Sequence, residues 1–299
     1  MSGAASVPRS GAQRAPLPGG RWHFQHGPID LVIGIEGDRR VVDAALEAAW
    51  RRFETVLEEL VGELALLRAP CPLAGAAPLA RGSVAQRMID ACLPLARRHG
   101  RFLTPMAAVA GSVAEEIVGL LARDGVRRAW VNNGGDAAFW LADGAHIDVG
   151  VVADLAAAIV APAIDARLRI SHGDAARGVA TSGWRGRSLS LGIADAVTVV
   201  ATSAARADAA ATLVANAVNV EHPAVRRAPA CEVRDDSDLG GRPVTVDVPT
   251  LPVAAIDDAL DAGEAFARRC LEAGEIVQAM LSLQGRSRIV VGRRIGALP

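Results

Sequence analysis

The spacing of apolar residues changes along the chain, and each change marks an element. Ile29 to Ile35 is a dense apolar stretch closed by the Glu36-Gly37-Asp38 turn, which predicts a strand. Leu46, Trp50, Phe53, Leu57, Leu60, Leu64 and Leu67 then follow spacings of 4, 3, 4, 3, 4 and 3. That periodicity puts large side chains on one helical face with charges opposite. A long helix packed on a sheet and a coiled-coil homodimer seam both fit this stripe. Pro70, Pro72 and Pro78 make 69–82 a connector. A second helix is expected from Ser83 to Arg98, kinked or ended by Pro94, and a third from near Pro105 to before Gly125. Its first turns, Met106 to Ala114, are almost all small residues, which let a backbone or a ligand come close.

Strand signals follow at Arg128–Val131, Ile147–Val152, Ala166–Ile170 and Ala196–Thr202, with Gly-rich turns between them. An Ala-rich helix is expected over Ala205–Val218, and the charged 221–242 stretch as a loop or linker. The end of the chain predicts a strand at Val244–Val248, a helix at Ile256–Ala273 and a strand at Arg288–Val291. Strands and helices mix without a regular β-α-β period, which points to an α+β fold rather than a doubly wound sheet. Residues 1–20 read as a disordered tail, 21–220 as the main domain and 221–299 as a C-terminal extension packed on it.

Composition narrows the chemistry. All 32 basic residues are Arg, and Tyr is also absent. A Lys Schiff base, a P-loop Lys and a Tyr acid are therefore excluded. Codon usage in a GC-rich genome explains this absence together with the abundance of Ala and Arg. A formal net charge of −1 argues against nucleic acid or an anionic membrane as partner. Cys71, Cys92, Cys231 and Cys270 form no C-x-x-C pair, which fits reduced core thiols better than a disulfide framework or a zinc site. The histidines (His23, His26, His99, His146, His172 and His222) lack helical metal spacing and are expected at the surface. With no membrane-length apolar run and no secretory h-region, a cytoplasmic protein is expected.

G-x-S-x-G, H-E-x-x-H, Walker A and G-x-G-x-x-G patterns are all missing. Three other segments carry candidate chemistry. Asn133, Gly134, Gly135 and Asp136 follow a strand; their amides could form an anion-binding concavity, but a plain tight turn uses the same residues. Thr181, Ser182 and Gly183, followed by Arg187 and Ser188, suit a phosphate or polar ligand, and equally a polar loop. Asp208 and Thr212, four apart on a helix, could sit beside a hard cation. The alternative is an Asp that favours the helix dipole and a Thr bonded to the preceding turn.

Taken in order, TPMAAVAGSVAEEI (104–117), VNNGGD (131–136), GVATSGWRGRSLSLGIADAVTV (178–199) and ARADAAATLVANAV (205–218) resemble the ApbE-like superfamily. The resemblance covers roughly residues 29–220 and is nearest to an uncharacterised branch. It implies mainly antiparallel sheets packed with helices in two lobes around a central cleft. Its better-known members are FAD:protein FMN transferases that bind FAD with Mg²⁺. On that pattern Asp208 and Thr212 would be metal ligands. Asn133, Gly134, Gly135, Asp136, Thr181, Ser182, Gly183, Arg187 and Ser188 would contact the nucleotide.

Two departures separate this chain from the transferases. Their K-G-Y-A-x-D stretch corresponds to Ala110-Gly111-Ser112-Val113-Ala114-Glu115. Their H-I-x-D-P stretch corresponds to Ser188-Leu189-Ser190-Leu191-Gly192, without the His. Arg187 stands where the uncharacterised branch tends to have a His, and an Arg is no base near neutral pH. Glu115, Asp136 and Asp195 remain as candidate bases. The resemblance thus implies binding of FAD or a related nucleotide with Mg²⁺, and FMN transfer or phosphoester cleavage if the chain is an enzyme. A flavin-holding oxidoreductase component and a non-catalytic ligand- or partner-binding module are the alternatives.

Overall fold

Short polar turns joining apolar strands build most of the structure as hairpins. A computed structural model describes residues 11–151, 166–186 and 188–292. β1 (Gln13–Leu17), β2 (Arg21–His26) and β3 (Ile29–Gly37) form a meander that passes through helices into β4 (Val126–Asn133) and β5 (Asp136–Leu141). β6 (His146–Val151) and β7 (Ala166–Ser171) pair as a separate ribbon. β8 (Gly178–Ser182) and β9 (Ala196–Ala201) return to the sheet, and β10 (Arg226–Pro229) pairs with β11 (Pro243–Asp247). β12 (Gln278–Leu283) and β13 (Arg286–Val291) complete the large sheet.

That sheet has nine strands in the order β1-β2-β3-β4-β5-β8-β9-β12-β13, and each of its pairings is antiparallel. The fold is α+β. The sheet narrows at β5–β8, where only Ala137↔Val179 and Ala138↔Gly178 pair. β12 bonds directly to β9, so residues beyond 220 supply strands to the sheet itself. β1 lies inside the stretch that composition marked as tail. Its Pro and Arg residues hid a strand that is short, mostly exposed and at the sheet edge.

The helices are α1 (Arg39–Gly62), α2 (Leu64–Leu67), α3 (Ser83–His99), α4 (Val109–Leu121, after a 3-10 turn at Pro105–Ala108), α5 (Ala204–Ala217), α6 (Ala230–Val233) and α7 (Val253–Glu272). α1 begins where Asp38 Oδ1 accepts from the amides of Arg40 and Val41, and Glu63 separates it from α2. Leu46, Phe53 and Leu60 are buried, and Phe24 of β2 meets Trp50 and Phe53. The apolar stripe therefore packs within the chain, where no second copy could use it as a seam. α3 runs through Pro94: the proline faces solvent while Cys92, Leu93, Leu95 and Ala96 are buried around it. One lost ladder bond does not outweigh that burial.

α5 lies at the centre, with Ala204, Ala205, Ala207, Ala209, Ala210 and Ala211 all buried. A smaller cluster on the opposite face of the sheet joins Phe139, Leu141, Ile170, Val179 and Val200. Cys71, Cys92 and Cys270 are buried free thiols, and burial pushes Cys71 up to about 11 and Cys270 up to about 12. Cys231 is free and exposed. His26 and the His99 side chain are also buried, contrary to the surface expectation, because each packs against a phenylalanine. Among the described residues no helix is long and apolar enough to cross a membrane.

An ion network joins α1, α3 and α4. Arg52 donates to Glu59 at 2.7 and 2.8 Å and to Glu116 at 2.7 Å, while Arg87 reaches Glu116 at 2.8 Å and Ser83 Oγ donates to it at 2.8 Å. Burial alone would raise the Glu116 carboxyl, but these donors outweigh it and hold the group below its ordinary value. A lowered carboxyl stabilises the fold above the unfolded-state value and loses that contribution as pH falls through the folded one. Glu116→Gln is expected to lower stability at neutral pH by about 2 kcal/mol or more. Urea unfolding should show the gap closing in acid; a gap of constant size would contradict the linkage.

Candidate functional site

A helix leaves its first amides unpaired and its N-terminus partly positive, so each start calls for an acceptor. Here α4 and α5 supply one another. Asp208 in α5 accepts from the Gly111 amide at 2.9 Å, and the Ala110 amide acts on the same carboxylate. In return Glu115 Oε2 in α4 accepts from the Ala205 amide at 3.2 Å, and Ser203 Oγ caps Arg206 at 3.3 Å. Both helices can come this close only because the contact points are bare backbone. A Cβ on Gly111 would stand 2.3 Å from the Ala204 carbonyl oxygen, and one on Gly178 2.2 Å from the Ala204 Cα. The small-residue run at 106–114 thus makes room for the backbone of α5.

The β4–β5 turn is anchored to this junction. Gly134 and Gly135 form a two-residue hairpin loop at φ of +67° and +115°, closed by the Asn133↔Asp136 pair. Turn geometry accounts for both glycines, and the Gly135 amide is already donated to Asn132 Oδ1 at 3.3 Å. Buried Asn133 donates from Nδ2 to the Ala110 carbonyl at 3.2 Å. Asp136, also buried, accepts from the Thr181 amide at 3.0 Å, and Thr181 and Thr198 share a hydroxyl bond of 2.9 Å. Hydrogen bonds therefore connect Asn133 to the N-terminus of α4, Asp136 to β8, and Asp208 to α4.

Burial pushes the Asp208 carboxyl well above the usual carboxylate range, and the Asp136 carboxylate pushes it the same way. The amides of Gly111 and Ala110 oppose them. Two carboxylates are thus held together at half-buried Asp208 and buried Asp136. Thr212, one turn along α5, is partly exposed. A carboxylate that faces two amides still keeps lone pairs for an ion. Carboxylate and hydroxyl oxygens are a hard donor set, suited to Mg²⁺ more than to zinc.

The remaining expected residues are spread over the next loop. Ser182 ends β8, and Gly183 is wedged where a Cβ would stand 2.4 Å from the Asp195 carbonyl oxygen. Ser188 is exposed, and Arg187 lies outside the described residues. Of the three candidate bases, Glu115 caps α5 and faces Arg87 at 3.5 Å. Asp195 accepts from the Gln284 amide at 2.6 Å and Trp184 Nε1 at 3.3 Å, which fastens the loop to the β12–β13 turn. Asp136 alone stands beside Asp208. Sequence reading missed the pairing of these two carboxylates, the Ala110 and Gly111 amides and Thr198. Motif order was the available signal, since Asp136 and Asp208 each belong to one of the segments that carry the resemblance.

A family model described as AbpE bacteria matches residues 14–289. No curated protein matches the chain by sequence. Among solved structures, the chain is similar to the apo form of the flavinyl transferase ApbE from Pseudomonas stutzeri, with 14% identity, 94% of each chain covered and a TM-score of 0.44. It is also similar to a point mutant of the flavin transferase ApbE from Vibrio cholerae, with 13% identity and a TM-score of 0.36, covering 94% of this chain and 97% of that one.

A raised carboxyl holds its proton more tightly in the folded state. Its penalty is therefore absent in acid and grows as pH climbs from the ordinary aspartate value through the raised one. Asp208→Asn keeps an acceptor for Gly111 but cannot ionise. It is expected to melt above the wild type at neutral pH and to lose that advantage in acid. Thermal unfolding between about pH 3 and pH 8 measures this, bracketing the ordinary aspartate value. Parallel curves would contradict the assigned carboxyl shift.

Proposed function

The chain belongs to the AbpE bacteria family, and on that premise we propose that it binds a flavin nucleotide of the FAD class together with Mg²⁺ beside Asp208. The observation that carries this reading is the carboxylate pair at Asp136 and Asp208, placed where α4, α5, β5 and β8 meet. Two like charges in a half-buried place are unfavourable by themselves and become favourable around a divalent cation. Asp208 and Thr212 would hold the ion, with Asp136 adding charge from the hairpin side. When bound, Mg²⁺ would neutralise the nucleotide's phosphates and polarise the pyrophosphate bond.

This chain's own residues would do the rest. The Asn133–Asp136 turn and the Thr181–Gly183 segment would face the nucleotide, with Arg187 and Ser188 on its polar rim. Ala110, Gly111 and Ser112 stand where the transferases resembled carry K-G-Y. The cationic and phenolic groups of that stretch are therefore missing here. We infer nucleotide binding as the activity, without a protein acceptor.

Fluorescence titration of FAD into the purified protein tests the proposal. Mg²⁺ is expected to tighten binding at least tenfold, about 1.4 kcal/mol, and Asp208→Ala to remove that gain. FAD affinity indifferent to both Mg²⁺ and Asp208 would overturn the reading. Release of AMP and FMN from bound FAD by water, followed by chromatography, would add cleavage of the pyrophosphate bond to the assigned activity.

A further inference from the structure

The C-terminal ends of α3 and α7 converge on a group that the flavin reading does not use. His99 is the last residue of α3, Cys270 lies in the last turn of α7, and Glu275 follows that helix's end. His99 Nε2 is 2.7 Å from Glu275 Oε2 and 3.7 Å from Cys270 Sγ. All three donor atoms lie within 4.8 Å of one another. Cys270 is fully buried, and the side chains of His99 and Glu275 are 8% and 13% exposed. Among the described residues this is the cluster in which three His, Cys, Asp or Glu donors meet.

We propose that His99, Cys270 and Glu275 bind one zinc-class divalent cation that clasps α3 to α7. A tetrahedral ion with ordinary zinc bond lengths sets its sulfur and nitrogen ligands about 3.6 Å apart and its nitrogen and oxygen ligands about 3.3 Å apart. The Sγ–Nε2 separation already matches. The Nε2–Oε2 separation is that of a hydrogen bond, so the ion replaces the proton between them and opens this pair by about 0.6 Å. The thiol proton and the proton shared by His99 and Glu275 both leave to solvent as the ion binds, and His99 keeps its remaining proton on Nδ1. Thiolate and imidazole select a borderline-soft ion over Mg²⁺, which separates this site from the all-oxygen set at Asp208.

One surrounding feature favours a cation here, and a second orients the ligands while placing a like charge beside the outer carboxylate oxygen. Both helices point their partly negative C-termini at the cluster, past Gly100 at one end and Gly274 at the other. Arg98 bonds Glu275 Oε1 at 2.9 Å and the Phe266 ring packs on His99 at 4.9 Å, so the outer oxygen and the imidazole are both oriented. A simple His⁺–Glu⁻ ion pair would account for the short contact. It leaves the Cys270 thiol, also hydrogen-bonded to Glu275, as a third donor beside the same nitrogen.

Cobalt(II) added to the metal-free full-length protein is the test. One equivalent is expected to give a thiolate-to-cobalt charge-transfer band and the intense visible bands of a four-coordinate site, both displaced by zinc. Cys270→Ser and His99→Asn should lose the bands, while Cys231→Ser and Asp208→Asn keep them. Zinc should raise the melting temperature of the wild type and leave that of Cys270→Ser unchanged. A wild type without a charge-transfer band would overturn the proposal whatever the variants do. So would a band that survives Cys270→Ser.

Discussion

Two helix starts pressed against each other, each capped by the other's acidic side chain, set the geometry of this protein. Asp208 closes α4 and Glu115 closes α5. Neither contact would form with a bulkier residue at Gly111 or Gly178, because the Ala204 backbone occupies the space. The requirement spreads outward: the Ala-rich face of α5 follows from it, since bulky side chains there would push α4 and β8 away. β8 in turn carries Thr181 to Asp136, and the β4–β5 hairpin reaches the Ala110 carbonyl through Asn133. Packing and polar chemistry share the same few residues.

The junction also creates an electrostatic cost that the fold leaves in place. Helix N-termini favour carboxylates, and the two amides facing Asp208 do lower its carboxyl. Burial and the neighbouring Asp136 win over them. Elsewhere the chain solves such problems with arginine: Arg52 and Arg87 surround Glu116, and Arg286 and Arg288 surround Asp257. The unrelieved charge at the junction is the observation on which the proposed cation at Asp208 rests. The His99–Cys270–Glu275 cluster differs, gathering softer donors at helix C-termini with Arg98 on the outer oxygen of Glu275.

Much of the fold was legible because its signals are local. The stripe from Leu46 to Leu67 marked α1 and α2, and the Ala-rich run marked α5. β5, β8 and β12 escaped notice; of these, β8 is the small-residue stretch Gly-Val-Ala-Thr-Ser and gains its identity from β5 and β9. β1 hid behind Pro and Arg at an edge. Of the site, Asp136 and Asp208 were visible through motif order, but their mutual repulsion depends on contacts 72 residues apart. His99 and Cys270, |i−j| of 171, could not be joined by any spacing rule.

Manganese offers the most direct view of the central claim, being a hard divalent ion with usable anomalous scattering. Crystals grown with Mn²⁺ and FAD should show an anomalous peak bonded to Asp208 and Thr212, near Asp136, with flavin pyrophosphate completing its coordination. Ordered FAD with no ion at Asp208, or Mn²⁺ bound only elsewhere, would contradict the account.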